Sequence, residues 1–145
     1  MARFDARVTI DTSRLNRILK NLGGNTHDYV RAVAFAIEAK AKPLTAVDTG
    51  ALRSSIYTRI GNEDGGPAAH GEARGRNPDA ELVELPRPPN NTTAHVGPGV
   101  SYGIEQEFGS ATQAGQPYLV PAVREVTRDL ERGFMRQARK VVTDE

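Results

Sequence analysis

Residues 62–90 restrict the fold more than any other stretch, because they interrupt this 145-residue chain with five of its nine prolines and four of its fourteen glycines. The large apolar residues of the stretch, Leu82, Val83 and Leu85, follow no helical or strand period. Such a composition buries too little apolar surface to offset the entropy lost when the chain becomes ordered. We therefore expect 62–90 to be a long exposed proline- and glycine-rich loop or arm, and loops of this length are usually functional or disordered.

The segments on either side of this loop have the periodic patterns of one domain that spans residues 1–145. Three short stretches alternate apolar and polar side chains as strands do: 6–11, 55–61 and 92–98. Three others repeat apolar side chains at helical spacing: 13–22, 26–42 and 121–142. These patterns predict an α+β fold in which a small antiparallel or mixed sheet packs against two long helices.

The composition removes several classes of site. The absence of cysteine excludes disulfides, thiolate zinc sites and cysteine nucleophiles. No stretch approaches the roughly 20 consecutive apolar residues that a membrane helix needs, and the charged start MARFDARVTID does not resemble a signal peptide. We therefore expect no membrane partner and a protein that is made and kept, or assembled, in the cytosol.

Charge is unevenly distributed along the chain, although the formal net charge is only +1. Residues 1–61 hold ten Lys/Arg against five Asp/Glu, whereas residues 62–90 hold three against six. The chain therefore has a basic first half and an acidic middle. A standalone DNA-binding module is an alternative that the small net excess and the lack of an aromatic-rich basic cluster disfavour.

The stretch AHVGPGVSYGIEQEFGS at 94–110 contains the residues that most resemble chemistry-bearing motifs. Its glycines have the spacing GxGxxxG, and Pro98 lacks the N–H that a phosphate loop would offer, so we interpret them as a turn after a strand. Glu105 and Glu107 would share one face of a strand and diverge on a helix. No metal-ligand spacing accompanies them, so we interpret them as structural or interface charges.

The three histidines, His27, His70 and His95, are scattered over a helix start, the loop and a strand. No nucleophile motif, cofactor loop or metal signature accompanies them. We therefore expect a protein with no cofactor and no catalytic site. The alternative from another class is a small hydrolase or nucleotide-binding enzyme that uses His95 with Glu105 or Glu107.

Three pieces of the sequence resemble, in this order, a family of structural proteins of long-tailed bacteriophages: PLTAVDTGALRSSI at 43–56, HVGPGVSYGIEQEFGS at 95–110 and QPYLVPAVREV at 116–126. The family is that of the neck or tail-completion proteins, also described as head–tail joining or minor tail components. Its pattern contains D-T-G followed by L-R-x-S-I, then Y-x-x-x-x-E-F-G, then P-x-L-x-P-A. The matching residues are Asp48, Thr49, Gly50, Leu52, Arg53, Ser55 and Ile56 in the first piece, Tyr102, Glu107, Phe108 and Gly109 in the second, and Pro117, Leu119, Pro121 and Ala122 in the third.

The resemblance implies a non-enzymatic virion protein that assembles in the host cytoplasm as a ring, six-fold, around the channel between the portal-side connector and the tail. It implies as partners copies of the same chain, adjacent connector or stopper proteins, and tail terminator or tail tube proteins, with DNA passing through the channel without specific binding. A ring requires two complementary surfaces on each copy, and the basic first half and the acidic loop are candidates for them. The alternative within this class is a tail terminator that caps the tail tube.

The motif pieces also supply the candidate structural or interface residues. These are Asp48, Thr49, Gly50, Arg53, Tyr102, Glu105, Glu107, Phe108, Gly109, Pro117 and Pro121. We expect the stretch 102–109 to lie against the C-terminal helix near a subunit boundary. We expect the loop at 62–90 to dock on a neighbouring subunit or ring.

Overall fold

The computed structural model of the protein describes residues 6–11, 26–46, 50–61 and 76–143. Its strands are β1 (Val8–Asp11), β2 (Tyr57–Ile60) and β3 (Thr93–Gly97). Its helices are α1 (Thr26–Ala41), α2 (Ala51–Ser55), α3 (Gly103–Phe108) and α4 (Leu119–Thr143), with a 3₁₀ turn at Lys42–Leu44 after α1. The α+β fold with a small antiparallel sheet is confirmed, and each of the three predicted strands is present in shortened form.

The sheet has the order β1-β3-β2, and both pairings are antiparallel. His95 in the central strand lies opposite Thr9 on one side and Arg59 on the other, which sets the register. Because side chains alternate between the faces of a strand, Ala94 and Val96 lie on one face and His95 on the other. All five residues of β3 are buried, so both faces of the sheet are covered.

Helix α1 covers the face of the sheet that carries Ala94 and Val96. Its apolar side is fully buried at Val30 and Ala34, and Ile37 keeps only 3% of its surface exposed. Glu38 at the edge of this contact accepts a hydrogen bond from Thr58 Oγ1 at 2.7 Å. Helix α1 ends one residue before the predicted position, because Pro43 cannot continue the hydrogen-bonded ladder.

Residues 80–88, here called the strap, cover the opposite face of the sheet. This part of the chain is therefore packed on the sheet and is not the exposed arm that we expected. Leu85 is buried and packs over Gly97, where an added Cβ would come within 3.0 Å of Leu85 Cδ2. The backbone of the strap is bonded to the sheet: Leu85 N–H donates to Tyr57 Oη at 2.6 Å, and Arg59 Nη1 donates to Leu85 O at 2.7 Å. The strap is ordered without a periodic pattern because side chains of the sheet satisfy its backbone groups.

Helix α4 packs against α1. Ala122 and Val126 of α4 belong to the same buried cluster as Ala34 and Ala41 of α1. These alanines allow the two helices to approach closely, and α4 is therefore held through its first two turns. The helix predicted over 13–22 and the loop residues 62–75 lie outside the described residues and stay predictions.

Candidate functional site

The three motif pieces of the sequence meet in one buried cluster, here called the motif junction. Its members are Ser55, Gly99, Gly103, Glu107 and Tyr118. Ser55 is the last residue of α2, and both its backbone oxygen and its Oγ accept the N–H of Gly99, at 2.9 and 3.2 Å. Tyr118, which is fully buried before α4, donates its hydroxyl to the carbonyl of Gly103 at 2.8 Å. The first piece is thus bonded to the second, and the second to the third.

Glu107 is the charged centre of the motif junction, and its side chain caps α4. It retains 3% of its surface exposed, although it sits next to the exposed Phe108. Glu107 Oε2 accepts the backbone N–H groups of Tyr118 at 2.7 Å and Leu119 at 2.9 Å, and Oε1 accepts that of Val120 at 3.0 Å. The carboxylate therefore lies across the first turn of the helix.

This capping accounts for all the N–H groups that the start of an α-helix leaves unpaired. The first four N–H groups of a helix have no partner within it. Here the first three belong to Tyr118, Leu119 and Val120, and the fourth position is Pro121, which has no N–H. The sequence placed Pro121 at the first helical position, whereas α4 begins two residues earlier at Leu119. The glutamate of E-F-G and the second proline of P-x-L-x-P-A are therefore two parts of one structural device.

The electrostatics of the motif junction follow from this arrangement. A carboxylate at a helix N-terminus interacts favourably with the partial positive charge of that end of the helix. The pKa of Tyr118 is raised above the usual value of tyrosine, first by burial and then by the negative charge of Glu107. The Tyr118 phenol therefore stays protonated and continues to donate to Gly103.

Helix α3 separates the two glutamates of the second motif piece. Glu105 is exposed and Glu107 is buried, as expected for residues two apart on a helix. Gly109 ends α3 with φ of 86°, and an added Cβ there would come within 2.7 Å of Gly115 N. This tight turn returns the chain so that Gln116 N–H donates to Gln106 O at 2.7 Å. The stretch 102–109 meets the start of the C-terminal helix through Glu107, whereas its placement near a subunit boundary stays a prediction.

The first motif piece contributes to the turn before α2. Asp48 and Thr49 lie outside the described residues. Gly50 precedes α2 in the left-handed region, with φ of 77°, and its carbonyl accepts the N–H of Ser54 at 3.0 Å. Arg53 is exposed and donates from Nε to Lys42 O at 3.1 Å, which ties α2 to the end of α1. Gly50 and Tyr102 both line a cavity of about 280 Å³.

An apolar groove of about 430 Å³ lies beside the motif junction. Phe108, which is 65% exposed, and Val120, which is 42% exposed, line it together with Val123. Ala6 and Arg7, which precede β1, and Arg124 of α4 also line the groove. Pro117, which precedes the groove wall, is exposed, and Pro121 is partly buried. Phe108 is exposed whereas its neighbour Glu107 is buried, because α3 turns the side chain of Phe108 towards solvent.

Two of the three histidines are hydrogen-bonded within the described part of the fold. His95 donates from Nδ1 to Pro86 O at 2.7 Å, which fastens the strap. His27 Nδ1 bonds to Asn91 O at 3.0 Å, and His70 lies outside the described residues. The N–H groups of Gly99 and Gly103 donate to backbone oxygens of the chain itself, so this turn does not present them to a phosphate. Within the described part of the chain, no group of three acidic or histidine side chains is arranged to hold a metal ion.

Sequence reasoning missed two residues that matter in this region. Tyr118 occupies a variable position of the third motif piece, yet it is fully buried and bonded to Gly103. Tyr57 receives the N–H of Leu85 and so holds the strap. An aromatic residue immediately before a helix start was the available signal for Tyr118. For Tyr57 no local signal existed, because its partner is 28 residues away along the chain.

A scan against protein-family models found no match, and neither did searches of curated proteins and of solved structures. Among the described residues, no helix is both long enough and apolar enough to cross a membrane.

Proposed function

We propose that this protein is a structural virion component of a long-tailed bacteriophage, which assembles as a ring at the head–tail junction and joins the portal-side connector to the tail. The proposal combines the resemblance of the three motif pieces with the roles that their residues have in the fold. Its partners are further copies of the chain and the adjacent connector and tail proteins.

The observation that carries the proposal is the capping of α4 by the buried carboxylate of Glu107. Both side-chain oxygens of Glu107, the candidate acid of the second motif piece, accept hydrogen bonds, which come from three backbone N–H groups. Its partners come from the third piece, and Ser55 links the first piece to the second. A motif whose residues bond to one another in this way supports a structural role, because a catalytic acid or base needs an oxygen that can reach a substrate.

The exposed groove supports a role in assembly. Phe108, a residue of the motif, is mostly exposed, and Val120 beside it is also exposed. Large apolar side chains grouped at the surface and rimmed by charged residues mark sites of contact with other proteins. Phe108 and Val120 lie next to Arg7 and Arg124 in this groove, which matches that pattern.

The two alternative functions are not equally well supported. A tail terminator stays the alternative within the structural class, because neither the fold nor the groove distinguishes it from a head–tail joining protein. A small hydrolase using His95 with Glu107 is less well supported, because His95 is bonded to Pro86 and Glu107 to α4. Glu105 is exposed on α3 and has no histidine among its hydrogen-bond partners in the described part of the chain.

The test is deletion of the gene from the phage that carries it, with the wild-type gene supplied in trans as the control. For a head–tail joining protein we expect filled heads and separate tails of normal length by electron microscopy. We also expect the protein to be present in purified intact particles. Overlong tails would support the terminator alternative instead. Intact infectious particles from the deletion would overturn the structural role.

A further inference from the structure

We propose that the exposed side of α4 pairs with the same side of α4 in a second copy of this chain, with the two helices antiparallel. The contact surface, here called the outer stripe, consists of Val120, Val123, Thr127 and Leu130. The inference goes beyond the proposed function, since a two-fold contact closes on itself and cannot by itself build a ring. It describes a pairing of copies that is separate from the ring contacts.

The spacing of the outer stripe is that of a helix-pairing surface. Its residues are separated by three, four and three positions, which is the spacing of the a and d positions of a coiled coil. A different stripe of α4, formed by Leu119, Ala122 and Val126, is buried against the rest of the fold. Helix α4 therefore has two adjacent apolar stripes, of which only one is buried against the described part of the chain.

Exposure of the outer stripe shows that it is available for a partner. Val120 is 42% exposed and Leu130 is 37% exposed, while Thr127 is also exposed and Val123 is partly so. Val120 and Leu130 are ten residues apart, which corresponds to about 15 Å along a helix. A partner helix that lies along this line would bury both residues and extend into the groove beside Phe108.

The charges beside the outer stripe select a second copy in the antiparallel orientation. Arg124 and Glu131 are seven residues apart, so they lie on the same edge of the stripe, and both are exposed. A parallel, in-register pair of copies would place this edge beside Leu119 and Val126 of the other copy, which are buried within their own chain, so its charges would meet no charged partner. An antiparallel pair centred near Thr127 places Arg124 of each copy opposite Glu131 of the other. The two-fold axis then makes two favourable charge pairs from one sequence.

The absence of native cysteine allows a direct test by disulfide formation. In the proposed pairing Thr127 of one copy lies next to Thr127 of the other, within the short Cα separation that a disulfide requires. We expect the Thr127→Cys variant to form a covalent dimer under mild oxidation. The matched control is Arg132→Cys, an exposed position of α4 away from the stripe, for which we expect little dimer. Equal dimer yields from the two variants, or none from Thr127→Cys, would overturn the pairing.

Charge reversal tests the orientation in the full chain without a cross-link. Arg124→Glu and Glu131→Arg should each weaken self-association on the order of tenfold, because two exposed charge pairs are lost and like charges replace them. The double variant should regain wild-type association, measured by sedimentation or by light scattering after size exclusion. Arg132→Glu is the control, and urea unfolding checks that all variants are folded. Single variants that associate as the wild type does would contradict the antiparallel contact. Loss of this contact with normal particle assembly would leave the proposed function standing.

Discussion

The carboxylate of Glu107 accepts the backbone N–H of Tyr118 at 2.7 Å, and this bond joins the end of α3 to the start of α4 across eleven residues of chain. Two further N–H groups of the same helix end bind the same carboxylate. The arrangement answers the question that the glutamate pair at 105 and 107 raises in the sequence. Glu107 is buried and hydrogen-bonded within the fold, whereas Glu105 faces solvent.

Removal of the Glu107 side chain should destabilise the fold strongly. Glu107→Ala leaves three backbone N–H groups at a buried helix end without their acceptor, and we expect a loss of about 3 kcal/mol in the free energy of unfolding. Urea denaturation measures this loss. Glu105→Ala, two residues away on the exposed side of the same helix, should change the free energy of unfolding by less than about 0.5 kcal/mol. Equal effects of the two substitutions would show that the cap is not the source of stability.

The close approach at Gly103 predicts opposite effects for two glycine-to-alanine substitutions. An added Cβ at Gly103 would come within 2.5 Å of Pro98 Cβ, so we expect Gly103→Ala to cost about 2 kcal/mol through overpacking. At Gly133, in α4, an added Cβ meets nothing within 4 Å. Gly133→Ala should stabilise the protein by about 1 kcal/mol, because alanine favours the helix. Thermal or urea unfolding of the two variants compares them directly.

Burial of Tyr118 predicts a loss of stability at alkaline pH. Its folded-state pKa is raised above the ordinary value of 10.0, so its contribution is complete below about pH 10 and is lost as the pH rises through the raised value. Tyr118→Phe should lose about 1 kcal/mol near neutral pH, since the bond to Gly103 is missing. Above about pH 10 its stability should fall less steeply than that of the wild type. Urea midpoints across this pH range test the sign, and a steeper fall in the variant would contradict it. Tyr29→Phe at an exposed position is the control.

The burial of Leu85 predicts that this residue of the strap contributes to the stability of the core, although it lies within the expected loop. Leu85 is 6% exposed, and Leu85→Ala should lower the free energy of unfolding by about 3 kcal/mol. Glu84→Ala, at the exposed neighbouring position, is the control and should have little effect. If Leu85→Ala were as stable as the control, the segment would behave as the exposed arm that its composition suggests. The arm hypothesis itself is now best tested by a deletion confined to residues 62–75.

The accuracy of the sequence-based predictions differs between local and non-local features. The strands, α1 and α4 could be recognised because their apolar residues repeat at the period of the element, as Val30, Ala34 and Ile37 do. The turn at Gly109 and the divergence of Glu105 from Glu107 also depend on residues close together in the chain. The sequence could not show that the strap is ordered, because its hydrogen-bond partners Tyr57 and Arg59 are more than 25 residues away along the chain.

The sequence by itself determined the α+β class, the main elements and the three motif pieces, since each depends on spacing within a short segment. Only the tertiary structure decided what the motif residues do. Glu107 could have been a solvated charge, an acid or a cap, and it became a cap because the chain returns at Gly109 and brings the start of α4 to its carboxylate. Phe108 could have been a core residue, and it is exposed because α3 turns its neighbour inwards. Local pattern sets which elements form, whereas contacts between distant segments set which side chains are buried and which remain available to a partner.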